Sequence, residues 1–272
     1  MSTTAVLSPP SPPLGVGPRL RRWRDQRRLS QMELALEADV STRHLSFVET
    51  GRSKPSRDMV VKLAEHLDVP LRERNELLLA AGYAPAYPET SLEDAEMGQV
   101  REVVGRLLAA HEPYPAVAVD RRWELVDGNA GISLITAGVA AHLLEPPINA
   151  LRLSLHPEGM APRIANLAEW RGHVLGRLRR EVGVTQDPQL RSLLAELEAY
   201  SGGDPDGGTS ATQPGPGEIV VPLRLRHESG ELAFMSTITT FGTPLDITLS
   251  ELSIEAFFPA DAHTATVLRA LV

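Results

Sequence analysis

Residues 29–54, LSQMELALEADVSTRHLSFVETGRSK, restrict the fold of this chain more than any other stretch. Met32, Ala35, Leu36, Val40, Leu45 and Val48 recur at helical spacing in two short stripes. The stripes break at Asp39, a residue type that tolerates the left-handed backbone of a tight turn. Ser30 followed three residues later by Glu33 has the form of a capping box, Ser41 can cap a second helix, and Gly51 suits the left-handed position that ends it. Two bounded helices joined by a tight turn predict a helix-turn-helix. On the second helix, Thr42, Arg43, His44, Ser46 and Phe47 face away from the apolar stripe, at the amino-terminal end where such a helix meets base edges. Ser41 at the cap, and Arg52 and Lys54 in the loop beyond, extend this face. A polar helix face taken alone is usually only solvated; caps, turn and loop in register favour DNA contact.

On these residues, STRHLSFVETGRSKPS behind LSQMELA resembles the Cro/C1-type (XRE) helix-turn-helix family over residues 19–82. The resemblance implies that Gln31, opening the second helix, holds DNA backbone. It also implies that Arg24 of the first helix pairs with Glu49 late in the recognition helix.

The overall charge of −8 argues against nucleic acid until its distribution is considered. Residues 1–82 hold 13 Lys and Arg against 10 Asp and Glu, whereas residues 83–272 hold 14 against 25. The basic part coincides with the helix-turn-helix, as phosphate binding requires, and the acidic remainder should stay off DNA. Zero cysteines exclude a disulfide framework and any thiolate metal site. The chain lacks an 18-residue apolar run and a basic-then-apolar amino terminus, so a cytoplasmic protein without membrane spans is expected.

Taken in order, residues 1–18 carry five prolines and read as a disordered tail; Gly15 and Gly17 follow no strand and so are no nucleotide loop. A first helix spans 19–27, with Leu20 and Trp23 on one face. After the recognition helix, a fourth carries Val60, Leu63, Ala64 and Leu67 and ends before Pro70, and a fifth presents Leu77, Leu78 and Leu79 and stops at Gly82. Residues 83–96 read as a linker, with two prolines and no periodicity at its start. Beyond it lie a helix over 97–110, two short strands at 116–119 and 123–126, helices at 161–180 and 189–200, and a Gly/Pro/Asp-rich loop at 201–217. Three alternating runs follow, at 219–226, 232–240 and 250–258, with a hairpin turn at Glu228-Ser229-Gly230. The predicted fold class is α+β: an all-α five-helix domain, then helices with a five-stranded antiparallel sheet.

The segments PAVAVDRRW at 115–123, NALR to HPEG at 149–159, NLAEW at 166–170, TTFGTPLD at 239–246 and FFPAD at 257–261 resemble, in that order, the MmyB-like ligand-binding domain over residues 97–272. The resemblance implies a PAS-like fold behind an XRE domain in bacterial regulators, with a long-chain fatty acid as one ligand of the family. Within it, His156, Arg163 and Asn166 flank the start of an amphipathic helix, where dipole and side chains could hold a carboxylate. A plainer reading is equally open: His156 caps a turn and Arg163 pairs with a surface acid. Trp123 joins these ligand candidates, although such aromatics are more often core.

No catalytic constellation and no metal set is visible: His-Glu-x-x-His is absent, and Gly131-Ile-Ser133-Leu-Ile lacks the second glycine of a nucleophile elbow. No cofactor is expected beyond a fatty-acid-like ligand held non-covalently. The expectation is therefore a homodimeric, non-enzymatic regulator with a double-stranded DNA operator and an apolar ligand as partners. Its alternatives are a second domain that only dimerises or meets a partner, and an enzyme tethered to DNA.

Overall fold

Glycine at position 17 decides how the amino-terminal helices meet. A Cβ there would lie 2.2 Å from the Val48 carbonyl oxygen and 2.8 Å from that of Glu49, so only glycine lets the first helix touch the end of the third backbone to backbone. The computed structural model describes residues 15–200 and 220–270. The chain divides into two units, one ending at Pro88 and one beginning at Glu89.

The first unit is five helices: α1 (Val16–Gln26), α2 (Gln31–Glu37), α3 (Thr42–Glu49), α4 (Arg57–His66) and α5 (Leu71–Ala80). Helix α1 begins three residues before the expected Arg19, so residues 15–18 are not tail; residues 1–14 lie outside the described part. The expected punctuation is present. Ser30 Oγ accepts the Glu33 N–H and Glu33 accepts the Ser30 N–H, while Ser41 and Ser56 cap α3 and α4. Asp39, Gly51 and Gly82 adopt φ of +49°, +73° and +78°. The face of α2 differs from expectation. Met32 and Leu36 are 69 % and 82 % exposed; Ala35 is buried as expected, but Leu34 and Ala38 are buried with it. Two alanines on the inner face let α2 lie close against α3 and α4, so the larger apolar residues mislead about its direction. Leu79 likewise points outward while Leu77 and Leu78 are buried.

Residues 83–88 are not a free linker. Asn75 accepts the Ala86 and Tyr87 N–H groups and donates to the Tyr87 carbonyl, Arg74 lies against the Tyr87 ring, and Tyr83 donates its hydroxyl to the Pro55 carbonyl. In the second unit the Thr90 N–H bonds Asp246, and Ala95–Met97 is a 3-10 turn that buries Met97.

The second unit is built on one antiparallel sheet of order β2-β1-β5-β4-β3, from β1 (Ala116–Val119), β2 (Leu125–Gly128), β3 (Leu223–His227), β4 (Gly230–Thr240) and β5 (Ser253–Pro259). The β1–β2 and β3–β4 hairpins are joined through β5, which pairs with both β1 and β4. One face packs on α6 (Gly98–Ala110) through Val104, Leu108, Ala116, Ala118 and Ile254. The other carries Val117, Phe234 and Phe257 into a larger core. That core is completed by α7 (Ile132–Thr136), α8 (Ala150–Leu155), α9 (Leu167–Thr185) and α10 (Pro188–Ala199). A short α11 (Ile247–Glu251) precedes β5, and α12 (Ala262–Ala270) closes the described chain.

Several boundaries move for local reasons. Strand β2 starts after Trp123, because Trp123 takes φ +65° in a turn where Asp120 accepts the Arg122 and Glu124 N–H groups. β5 starts at Ser253 because Asp246 caps α11. The helix expected from Ala161 splits into a 3-10 turn, Ala161–Arg163, and α9. Between them Ile164 bridges Leu225 and the Ala165 N–H bonds the Arg224 carbonyl, covering the edge of β3. The loop expected at 201–217 lies outside the described residues.

Candidate functional site

Behind the recognition helix, Glu49 at the carboxy-terminal end of α3 accepts Arg24 Nε at 2.7 Å, a second Arg24 nitrogen at 3.0 Å and Gln31 Nε2 at 2.7 Å. Arg24 and Glu49 are both buried, and the Arg24 guanidinium is held above its ordinary pKa chiefly by its hydrogen bond to Glu49. One carboxylate therefore fixes α3 against α1 and α2. On the outer side, Ser41, Thr42 and Arg43 are exposed, and His44, Ser46 and Phe47 are half-buried. The Arg43 guanidinium lies over the Phe47 ring at 5.4 Å. Ser41 Oγ accepts the His44 N–H, Arg52 is exposed, and Lys54 lies over the Tyr83 ring at 4.9 Å. Gln31, half-buried at the start of α2, bonds Glu49, so any phosphate it held would be gripped by a side chain already anchored.

In the second unit a cavity of about 220 Å3 opens between the sheet and α7 to α9. Val117, Leu223 and Phe257 floor it; Ile132, Ile135, Leu151, Trp170, Val174 and Leu178 form walls, and Leu144 and Met160 are among the other lining residues. Polar groups converge at Arg177, His173 and Glu255. Glu255 is buried, and burial pushes its carboxyl above the usual range against the pull of Arg177 and Ser236. His173, stacked on Trp170, is pushed down by burial and then by Arg177 and Arg180, so its imidazole is neutral near pH 7. Trp170 donates its indole N–H to Ser154 at 2.8 Å and Trp123 donates to Glu181 at 2.8 Å, so both rings are held in fixed orientations.

Of the expected ligand residues, only Trp123 lines this cavity. Arg163 donates to the carbonyls of Leu134, Ile135 and Ala137, closing the end of α7. Asn166 donates to Glu169 and the Pro222 carbonyl and accepts the Arg224 N–H, joining α9 to β3. His156 accepts the Glu158 N–H and packs edge-on against Tyr200. These three residues have structural work in place of a carboxylate site. His142, His156 and Glu158 do come together, with potential metal-ligating atoms within 4.8 Å of one another on a largely exposed surface.

A family model described as the MmyB-like transcription regulator ligand binding domain matches residues 100–271, and a helix-turn-helix model matches residues 20–74. The chain belongs to the MmyB-like transcription regulators. It is 31 % identical over 110 residues, 40 % of its own length and 77 % of the relative's, to the uncharacterized HTH-type transcriptional regulator RghRB of Bacillus subtilis (strain 168). Among solved structures it is similar to the SinR protein/SinI protein complex, with 23 % identity, 35 % of this chain and 80 % of that chain covered and a TM-score of 0.21. It is also similar to the clp gene regulator ClgR from Corynebacterium glutamicum, with 22 % identity, 36 % and 90 % covered and a TM-score of 0.22. As an MmyB-like regulator, the chain is a DNA-binding transcriptional regulator with a ligand-binding domain. Among its described residues, no helix is long and apolar enough to cross a membrane.

The polar residues that line the cavity of this MmyB-like domain have a signal of their own in the sequence. Trp170, His173, Val174, Arg177, Leu178 and Glu181 recur three or four apart on α9, so Arg177 belongs to the inward stripe. Glu255 alternates with Ile254 and Ala256, sharing the face of Phe257.

Proposed function

We propose that this regulator reads its operator as a homodimer through α3 and that an apolar small molecule such as a fatty acid, held in the second unit, changes its operator affinity. The observation that carries the ligand half is the cavity itself: apolar walls from sheet and helices with a few polar groups at one end, the usual build of a small-molecule site. The DNA half rests on the exposed amino-terminal end of α3, with Arg43 over Phe47 and the buried Arg24–Glu49 pair behind it. Operation in the cytoplasm and without catalysis belongs to the same reading.

By linkage, a ligand alters operator affinity only if it binds the DNA-competent and DNA-incompetent forms unequally, typically by about 1–3 kcal/mol. The test extracts purified protein with organic solvent for mass spectrometry, then titrates C12 to C18 fatty acids while following melting temperature and operator affinity. An extracted amphiphile or a raised melting temperature, together with altered affinity, is expected. No extracted lipid and no shift would leave the second unit as a dimerisation module. A shift with unchanged affinity would leave a pocket uncoupled from DNA.

A further inference from the structure

The polar end of the cavity is electrically unbalanced. Arg177 on α9 lies 3.9 Å from the centre of the Trp123 ring, 3.6 Å from Glu255 on β5 and 3.4 Å from Glu181, one turn further along α9. Arg177 and Glu255 line the cavity, and Glu181 stands behind Trp123, accepting its indole N–H. One guanidinium thus faces two carboxylates. Both ion-pair distances exceed those of a well-made charge-assisted hydrogen bond.

The surroundings of Glu255 add little compensation. Its in-register neighbours are Val117 on β1 and Ile238 on β4, both apolar, and a single hydroxyl, that of Ser236, supports it. From α9 it meets Arg177 and Glu181, while His173 on the cavity wall is held neutral and Arg180 acts on Arg177 and His173. An ionised head entering here would place a third carboxylate beside one guanidinium, away from water, where unpaired charge is costly.

We propose that Arg177, Glu255 and His173 form a head-group subsite that admits an amphiphile whose head adds no net negative charge. An alcohol or amide would accept from Arg177 and donate to Glu255. A long-chain carboxylic acid would enter with one proton taken up, carried on the ligand or on Glu255. This deepens the ligand-sensing reading and rests on it. The raised Glu255 carboxyl is consistent with the second location of the proton.

The experiment uses the full chain, stripped of lipid, and measures the affinity of 1-decanol and decanoic acid from about pH 7 to about pH 9. Decanol affinity should be flat. Decanoic acid should weaken by roughly ten-fold per pH unit, the signature of one linked proton. His173, pushed below its ordinary value, cannot supply that slope. Glu255→Gln removes one carboxylate while keeping its shape. In this variant the acid should bind at pH 9 at least about ten-fold more tightly than in wild type, with its slope abolished. Decanol binding by the variant serves as the check that the cavity is intact. If both compounds bind wild type and the acid is as insensitive to pH as the alcohol, or if Glu255→Gln keeps the slope, the head-group subsite is wrong while ligand sensing stands. If neither binds at any pH, the ligand-sensing reading falls and the subsite with it.

Discussion

Arg24 grips Glu49 through two hydrogen bonds, at 2.7 and 3.0 Å, in a pair whose partners are 7 % and 4 % exposed. Such two-pronged, charge-assisted contacts fix orientation as well as distance. With Gln31 as a third donor to the same carboxylate, the tilt of α3 is set from behind the face that carries Arg43. Removing Glu49 would leave the buried guanidinium with only Asp25 and the Leu29 carbonyl, so Glu49→Ala should destabilise the helical unit by about 3–5 kcal/mol. Urea unfolding of the full chain by circular dichroism checks this, and a transition unchanged from wild type would mean that the pair contributes nothing.

Arg43 and Gln31 should differ in what they read. From the exposed amino-terminal turn of α3, Arg43→Ala should cost roughly 1–3 kcal/mol at one operator position and little elsewhere. Gln31→Ala should weaken all sequences alike. Gel shifts over single-base operator variants, in operators enriched from random duplexes, separate the two. Identical patterns would put α3 in another orientation, and affinity that does not fall steeply with salt would remove the phosphate contacts.

Two glycine-to-alanine changes should have opposite signs. Gly17→Ala drives a Cβ into the backbone of α3 and should cost at least about 1–3 kcal/mol, as overpacking does. Gly105→Ala on α6, with nothing within 4 Å of its Cβ, should stabilise by about 0.5–1 kcal/mol through helix propensity. Thermal melts of both variants decide it; equal shifts would contradict the close approach of α1 to α3.

Tyr200 supplies a pH prediction. Burial, and then its hydrogen bond to Glu196, push the phenol up to about 12 from an ordinary 10.0. A raised folded value means stability that is complete below pH 10.0 and lost as pH climbs towards about 12. Tyr200→Phe should therefore unfold with a shallower alkaline decline than wild type. Urea midpoints from pH 9 to 12 test this, and parallel declines would exclude it.

Punctuation was the legible part of the fold. Ser30, Asp39, Ser41 and Gly51 announce the helix-turn-helix because caps and left-handed turns depend on neighbours in sequence. The later strands of the sheet were legible from alternation in the same way, and the first two from short apolar runs around a tight turn. Direction was harder to read: on α2 the buried side is set by how closely Ala35 and Ala38 let α3 and α4 approach, which no single-helix pattern encodes. Trp123 lines the cavity, and the other ligand candidates, His156, Arg163 and Asn166, lie outside its lining for a related reason. The local dipole of a helix start points to Arg163, yet its donors go to three carbonyls 26 to 29 residues earlier in the chain. Arg177 and Glu255 meet only because β5 lies across from α9, a relationship between distant segments.

The strap formed by residues 83–88 bears on where the DNA-reading unit can be cut. Asn75, 9 % exposed, bonds its amide to Ala86 and Tyr87, and the Pro55 carbonyl is met by the Tyr83 hydroxyl. A fragment ending at Gly82, where the helical pattern stops, would bare those groups and lose the ring over Lys54. Its weakened melting would then be an artefact of the scissors rather than a property of the unit, and the shortest faithful fragment ends at Pro88.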